Sequence, residues 1–248
     1  NYAYGINTIN QTVDVHDNVV VSDALTASGI QVANSQGTIE NNTVTASSKN
    51  NAYGITISSC NDMKAVGNNI NFEGKDITAF SIFGTVNLSL LNNTIKLNGV
   101  NAAAAELYMA NVTDIKYNNI SIVASAKDKA AIVLNMTGQT IIKDNIISTT
   151  AENTVAMDKF STENVVESNT LYANTFIGDM SVDLANSSNK IQYNKPSEII
   201  TYYYLNEETF NKFFNDDGTL KDVVPDTAVI LVTGNLNDKV MNITKPVT

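Results

Sequence analysis

An asparagine returns about every 25 residues in this chain, each time just before a short apolar alternation, and this limits the possible folds more than any other feature. It appears in "IENNTV" at 39–44, "LLNNTIKL" at 90–97, "IKYNNI" at 115–120, "IIKDNII" at 141–147 and "VESNTL" at 166–171. Aligned on that residue, the column reads Asn18, Asn42, Asn68, Asn93, Asn118, Asn145, Asn169 and Asn189, with spacings of 24, 26, 25, 25, 27, 24 and 20. Two positions later stand Val20, Val44, Ile70, Ile95, Ile120, Ile147, Leu171 and Ile191. Three positions earlier stand Val15, Ile39, Ala65, Leu90, Ile115, Ile142 and Val166, until Asn186 breaks that column. The residue just before the asparagine is mostly a turn former such as Asp17, Asn41, Gly67 or Ser168.

A second phrase lies about twelve residues upstream of each asparagine, as "YGINTI" at 4, "SGIQVA" at 28 and "YGITIS" at 53. Each period therefore holds two or three strands of alternating apolar residues, separated by polar corners. No stretch before residue 200 carries a helical period. Leucine-rich repeats need other column spacings, and propeller blades need longer periods. The expected fold is all-β, a right-handed parallel β-helix of about eight coils spanning residues 1–195. Coils stacked about 4.8 Å apart make a rod roughly 40 Å long, with Ile55, Ile57, Ile70 and Phe72 facing inward.

An asparagine at an inward corner donates to one neighbouring coil and accepts from the other, and its amide satisfies backbone groups that the bend exposes. It also tolerates the left-handed backbone that such a corner needs. The asparagine column is thus expected to be a structural ladder. From Pro196 the register fails, and residues 196–248 read as a small helix-plus-strands segment, either a cap or the start of another module. Glu207 and Glu208 begin a short helix capped by Asn206, with Phe210, Phe213 and Phe214 on one face. A helix packed over the last coil would cover exposed strand edges. "NDDG" at 215–218 reads as a turn rather than a calcium loop, "AVILV" at 228–232 as a strand, and "TGNLNDKVMNITKPVT" as a hairpin leading to another strand. The absence of an initiator methionine and the ending on "ITKPVT" read as a piece of a longer protein.

Composition narrows the chemistry. The net charge of −10 argues against a nucleic-acid partner, and no apolar run is long enough to span a bilayer. All 15 basic residues are lysine, so the usual bidentate clamp for carboxylates and phosphates is missing. Cys60 is the sole cysteine and reads as a buried thiol packing like a small hydrophobe. His16, the sole histidine, lies in "DVHD" at 14–17, where strand alternation lets at most Asp14 and His16 share a face. Asp158, Asp179 and Asp183 come from neighbouring coils and form a possible acidic cluster, the arrangement glycoside hydrolysis would need. No phosphate loop or nucleophile motif is present, and neither catalytic residues nor a cofactor or metal is expected.

Flat rows of Asn, Thr, Ser and Tyr suit sugar binding. Candidate stacking residues are Tyr53, Phe80, Phe83, Tyr108 and Tyr117 in the middle coils, with Tyr202, Tyr203 and Tyr204 beyond them. Sequons begin at Asn10, Asn41, Asn87, Asn92, Asn111, Asn119, Asn135, Asn186 and Asn242, most of them arising from the "NNT" repeat itself.

The "NNT[IV]" coils, together with the segment "LNEETFNKFFNDDGTL…VILVTGNLNDKVMNITKPVT", resemble the adhesin-like surface proteins of methanogenic archaea, which carry pectate-lyase-like β-helix segments. That resemblance implies an extracellular, cell-wall-associated location and a role in adhesion or display, with no catalytic residues to carry over. The expected function is a non-catalytic rigid stalk or binding surface. Its partners would be cell-surface polysaccharide or glycoprotein and neighbouring repeat domains. A carbohydrate-active β-helix enzyme and a phage-type tail fibre segment are the alternatives.

Overall fold

The computed structural model describes residues 2–126, 130–151, 153–158, 160–172, 188–192, 194–196, 202–207, 209–224, 229–232 and 236–243. Within them the chain winds into an all-β parallel solenoid of about seven turns. Each of the first complete coils has one short strand, such as Asn61–Val66, and one long strand, such as Asn69–Phe83. Short strands from Thr12–His16 to Lys190–Gln192 stack into one sheet, and the long strands and their successors stack into a second.

Alternation decides what goes inside. Val20, Val44, Ile70, Ile95, Ile120, Ile147 and Leu171 pair in register along one inward column. Val15, Ile39, Ala65, Leu90, Ile115, Ile142, Val166 and Ile191 do so along the facing one. All but Ile191 are buried, and Ile191 packs against the same core. The varying period has a local cause. Where the spacing rises to 26, strand Thr43–Ser58 carries one extra residue, absorbed as a register shift between Ser48 and Asn51. The glycine of the second phrase is set by close approach. A Cβ on Gly29 would lie 2.2 Å from Val44 Cγ1 and 2.7 Å from the Gly54 carbonyl oxygen.

The ladder runs through every coil. The backbone N–H and side-chain Nδ2 of Asn68 both donate to Oδ1 of Asn93, at 2.9 and 3.0 Å, and Asn93 repeats this with Asn118. The second Nδ2 proton reaches back to a carbonyl of the previous coil, Ile39 for Asn68 and Ala65 for Asn93. Asn18, Asn42, Asn118, Asn145 and Asn169 sit in the same chain of bonds. Among the described residues its last rung is Asn194, 25 residues beyond Asn169. Asn189, which the spacing placed in this column, belongs to another: its Oδ1 accepts the backbone and side-chain N–H of Asn164, in line with Thr140. Ile191 accordingly stacks on Val166, three positions before a ladder asparagine rather than two after one.

The left-handed backbone falls one residue before the ladder asparagine, not on it. Asp17, Asn41, Gly67, Asn92, Tyr117, Asp144 and Ser168 all have φ between 53° and 65°. Asp, Asn, Gly and Ser suit that position because their side chains are absent or bond locally.

A further column uses hydroxyl and thiol groups. The backbone N–H of Gln11 donates to Ser35 Oγ, and that of Ser35 donates to Cys60 Sγ at 3.4 Å. The Cys60 thiol in turn donates to the Ser58 carbonyl. Cys60 is buried, but it replaces a serine in a hydrogen-bonded column and is not simply a small hydrophobe; burial also pushes its thiol pKa up. Thr85 occupies the same column with a buried hydroxyl that has no hydrogen-bond partner. We expect Thr85→Val to raise stability by about 1 kcal/mol in urea melts, because it removes a desolvated orphan at nearly constant shape.

Beyond the solenoid, Tyr202–Leu205 pairs in parallel with Val229–Val232. The helix spans only Phe210–Phe213, later than the sequence suggests. Asn206 still organises its entry: its Oδ1 accepts the Thr209 N–H and its carbonyl accepts that of Phe210. Phe210 and Phe214 are buried with Leu205, Leu220 and Val224 in a second core that shares no described residue with that of the coils. Asn215 and Gly218 close the expected turn. Of the expected hairpin over 233–248, residues 233–235 and 244–248 lie outside the described residues. Residues 236–243 hold a turn closed by the Lys239 N–H on the Leu236 carbonyl and a bridge from Asn242 to Thr219.

Candidate functional site

Function in such a rod must come from its outward columns and corners, because the inward ones are committed to core and ladder. Strand Asn69–Phe83 directs Phe80 and Ile82 inward and leaves Phe83 outside. Phe80 is therefore core and is not available for stacking. Phe83 pairs in register with Tyr108 of the next coil, and their rings stack at 5.4 Å with an interplanar angle of 10°. Tyr53 is half-buried, and Tyr117 stands exposed at a left-handed corner. Tyr202, Tyr203 and Tyr204 contribute described backbone only.

The proposed acidic cluster reduces to one described member. Asp158 Oδ1 accepts the backbone N–H of Met136 at 3.0 Å, the backbone N–H of Phe160 and the hydroxyl of Ser161 at 2.7 Å. Those bonds make it a corner-forming carboxylate. Asp179 and Asp183 lie outside the described residues. Among the described residues no group of three or more His, Cys, Asp or Glu side chains could hold a metal ion.

His16 differs from the simple alternation rule. Its Nδ1 lies 3.0 Å from Asp17 Oδ2, the adjacent residue, because the left-handed backbone at Asp17 ends the alternation and folds that carboxylate back. The hydrogen bond to Asp17 and the charge of Asp14 raise the His16 pKa above 6.5. A raised histidine pKa contributes stability that is complete below the ordinary value and is lost as pH climbs through the raised one. We expect Asp17→Asn to bring the His16 titration back toward 6.5, read from the ring-proton shifts of the sole histidine.

Seven sequon asparagines, Asn10, Asn41, Asn87, Asn92, Asn111, Asn119 and Asn242, are exposed; Asn135 is half-buried and Asn186 lies outside the described residues. Asn87 is committed through its amide to Asp62. The sequence reading missed one outward feature. Val86, Met109, Val112 and Met136 are exposed near the Phe83–Tyr108 pair, and only an outward column compared coil by coil would have revealed them. No protein-family model, curated protein or solved structure matches the chain.

Proposed function

We propose that this chain is a non-catalytic module of an extracellular, cell-surface adhesin-like protein, acting as a rigid stalk and as a surface for adhesion to polysaccharide or glycoprotein. The observation that carries this reading is the uninterrupted asparagine ladder, in which each rung is held by hydrogen bonds to both neighbours from Asn42 to Asn169. A rod locked in this way keeps its length and stiffness while its corners vary, which is what display at a distance from a cell wall requires. The resemblance of its coils to those of methanogen adhesin-like proteins supports the same role.

The test has two arms. In the first, the protein is incubated with uronate and neutral polysaccharides while reducing ends and unsaturated products are followed. The expected result is no turnover, and sustained turnover overturns the reading in favour of a carbohydrate-active enzyme. In the second, a glycan array is probed with the protein and with Tyr53→Ala and Tyr117→Ala variants. Binding lost in one variant locates the adhesive flank. Sedimentation adds a control, since a stable trimer would favour a tail-fibre segment instead.

A further inference from the structure

Six apolar side chains, Phe83, Val86, Tyr108, Met109, Val112 and Met136, are between 38% and 49% exposed around one corner of the middle coils. Registration brings them together. Phe83 stacks on Tyr108, the Met109 N–H bonds the carbonyl just before Met136, and Val86 pairs with Asn111 beside Val112. In the coils just before them these columns are polar or small: Ala33 and Ser58 precede Phe83, Asn34, Ser59 and Gly84 precede Met109, and Asp62 and Asn87 precede Val112, although the first coil opens the Phe83 column with the exposed Ile9.

Three of these residues break a local rule. Met109, Val112 and Met136 hold φ of 54°, 53° and 53°, where the preceding coils use Asn, Ser, Gly or Asp. A β-branched residue in that region is an outlier, costing about 1–2 kcal/mol. Exposing it adds no core. An exposed, locally unfavourable residue beside other exposed apolar residues has no folding rationale, and such conflicts concentrate at functional surfaces. Thioether and branched aliphatic groups beside an aromatic pair suit a protein surface better than a sugar, which needs more directed polar groups.

The rim specifies the partner's charge. Glu106 lies two residues before Tyr108 on the same outward side, Asp158 accepts the Met136 N–H, Glu163 accepts the Gln139 amide, and Asp62 lies one coil before Val86. Against these four carboxylates the described neighbours on the short strands offer Lys64, Lys116, which is bonded to Asp114 at 2.9 Å, and Lys143, which is bonded to Glu167 at 2.7 Å. A second copy of this chain would present the same acidic rim and be repelled.

We propose that this corner is a docking surface for a protein segment whose apolar side chains are flanked by lysine or arginine. The apolar residues fill the strip over Phe83, Tyr108, Met109 and Val112, and the basic residues meet the carboxylate rim. This goes beyond the stalk reading and does not depend on it.

The test uses the full chain and an amphipathic Leu/Lys peptide bearing one tryptophan, a clean fluorophore because the protein has none. The comparison is the double variant Met109→Asn, Val112→Asn, which installs the residue types other coils use at those backbones and leaves the charge unchanged. Its melting temperature should not fall, which separates lost binding from lost folding. The expected result is peptide binding to the parent chain, weakened about tenfold or more in the variant, with no binding of a Leu/Glu peptide. Equal binding to both proteins would reduce the effect to bulk charge attraction and overturn the proposal. So would no binding to either protein, or equal binding of the Leu/Glu peptide. Displacement of the peptide by a neutral oligosaccharide, lost in the variant, would assign the corner to glycans and overturn it as well.

Discussion

Replacing Asn93 by alanine is expected to destabilise the protein by about 3–4 kcal/mol, an effect that the equivalent interior rungs should share. The bonds that disappear can be named. The buried backbone N–H of Asn68 loses its only acceptor, the Oδ1 of Asn93, and one Nδ2 proton of Asn68 loses the same atom. The Ala65 carbonyl loses its donor from Asn93 Nδ2. Asn93 Nδ2 also ceases to donate to Asn118 Oδ1, while the backbone bonds survive, Asn93 N–H to Asn118 Oδ1 and Asn119 N–H to the Asn93 carbonyl. Each buried group left without a partner costs about 1–3 kcal/mol, and water has no route to a rung with coils on both sides. Asn18→Ala is the control. That residue begins the ladder, is partly exposed and accepts no bond from another rung, so its loss should cost under about 1 kcal/mol. Urea melts followed by far-ultraviolet circular dichroism would measure both.

Asn93→Asp sharpens the same argument through its pH dependence. The oxygen that replaces Nδ2 would face the Ala65 carbonyl and Asn118 Oδ1, both acceptors about 3.0 Å away. Only the protonated carboxyl can donate there, and burial also opposes the charge, so the folded-state pKa rises above the unfolded value of about 3.9. Destabilisation then grows as pH rises above the unfolded pKa. The variant should be nearer the parent at about pH 4 and far weaker at about pH 7. The usual native carboxylate, held below its unfolded value, behaves in the opposite way.

The ladder could be read from sequence because the same chemistry recurs at every turn: a bend exposes the same backbone groups, and the same amide satisfies them. Its last rung was hidden by composition. Asn194 is followed two positions later by Pro196 rather than an aliphatic residue, so the template moved to Asn189 and took Ile191 for the wrong column. The Ser35, Cys60 and Thr85 column was hidden for a related reason, since three different side chains occupy equivalent places and no letter repeats. The exposed corner was harder still. Phe83, Tyr108, Met109 and Met136 are about one coil apart along the chain, and each is unremarkable alone. They form a surface only when stacked coil on coil.

Phe80→Ala carries the second large expectation, a loss of about 3–5 kcal/mol. Sequence placed Phe80 and Phe83 of "FSIF" together as aromatic candidates, but an offset of three along a strand puts them on opposite faces. Phe80 is 1% exposed and sits in the inward column Ile30, Ile55, Phe80, Ala105, Ile132. The small Ala105 one coil above leaves room for the ring, so removing it opens a cavity that the rigid coils close poorly. Ala105→Phe alone should overpack the same space and cost about 1–3 kcal/mol. The two changes together should cost less than their sum, because the displaced volume is restored one coil along, and a double-mutant cycle would measure that coupling. Phe83→Ala, outward and 49% exposed, should fall within about 0.5 kcal/mol of the parent. Equal losses at Phe80 and Phe83 would mean that alternation does not divide this strand into a core side and a solvent side.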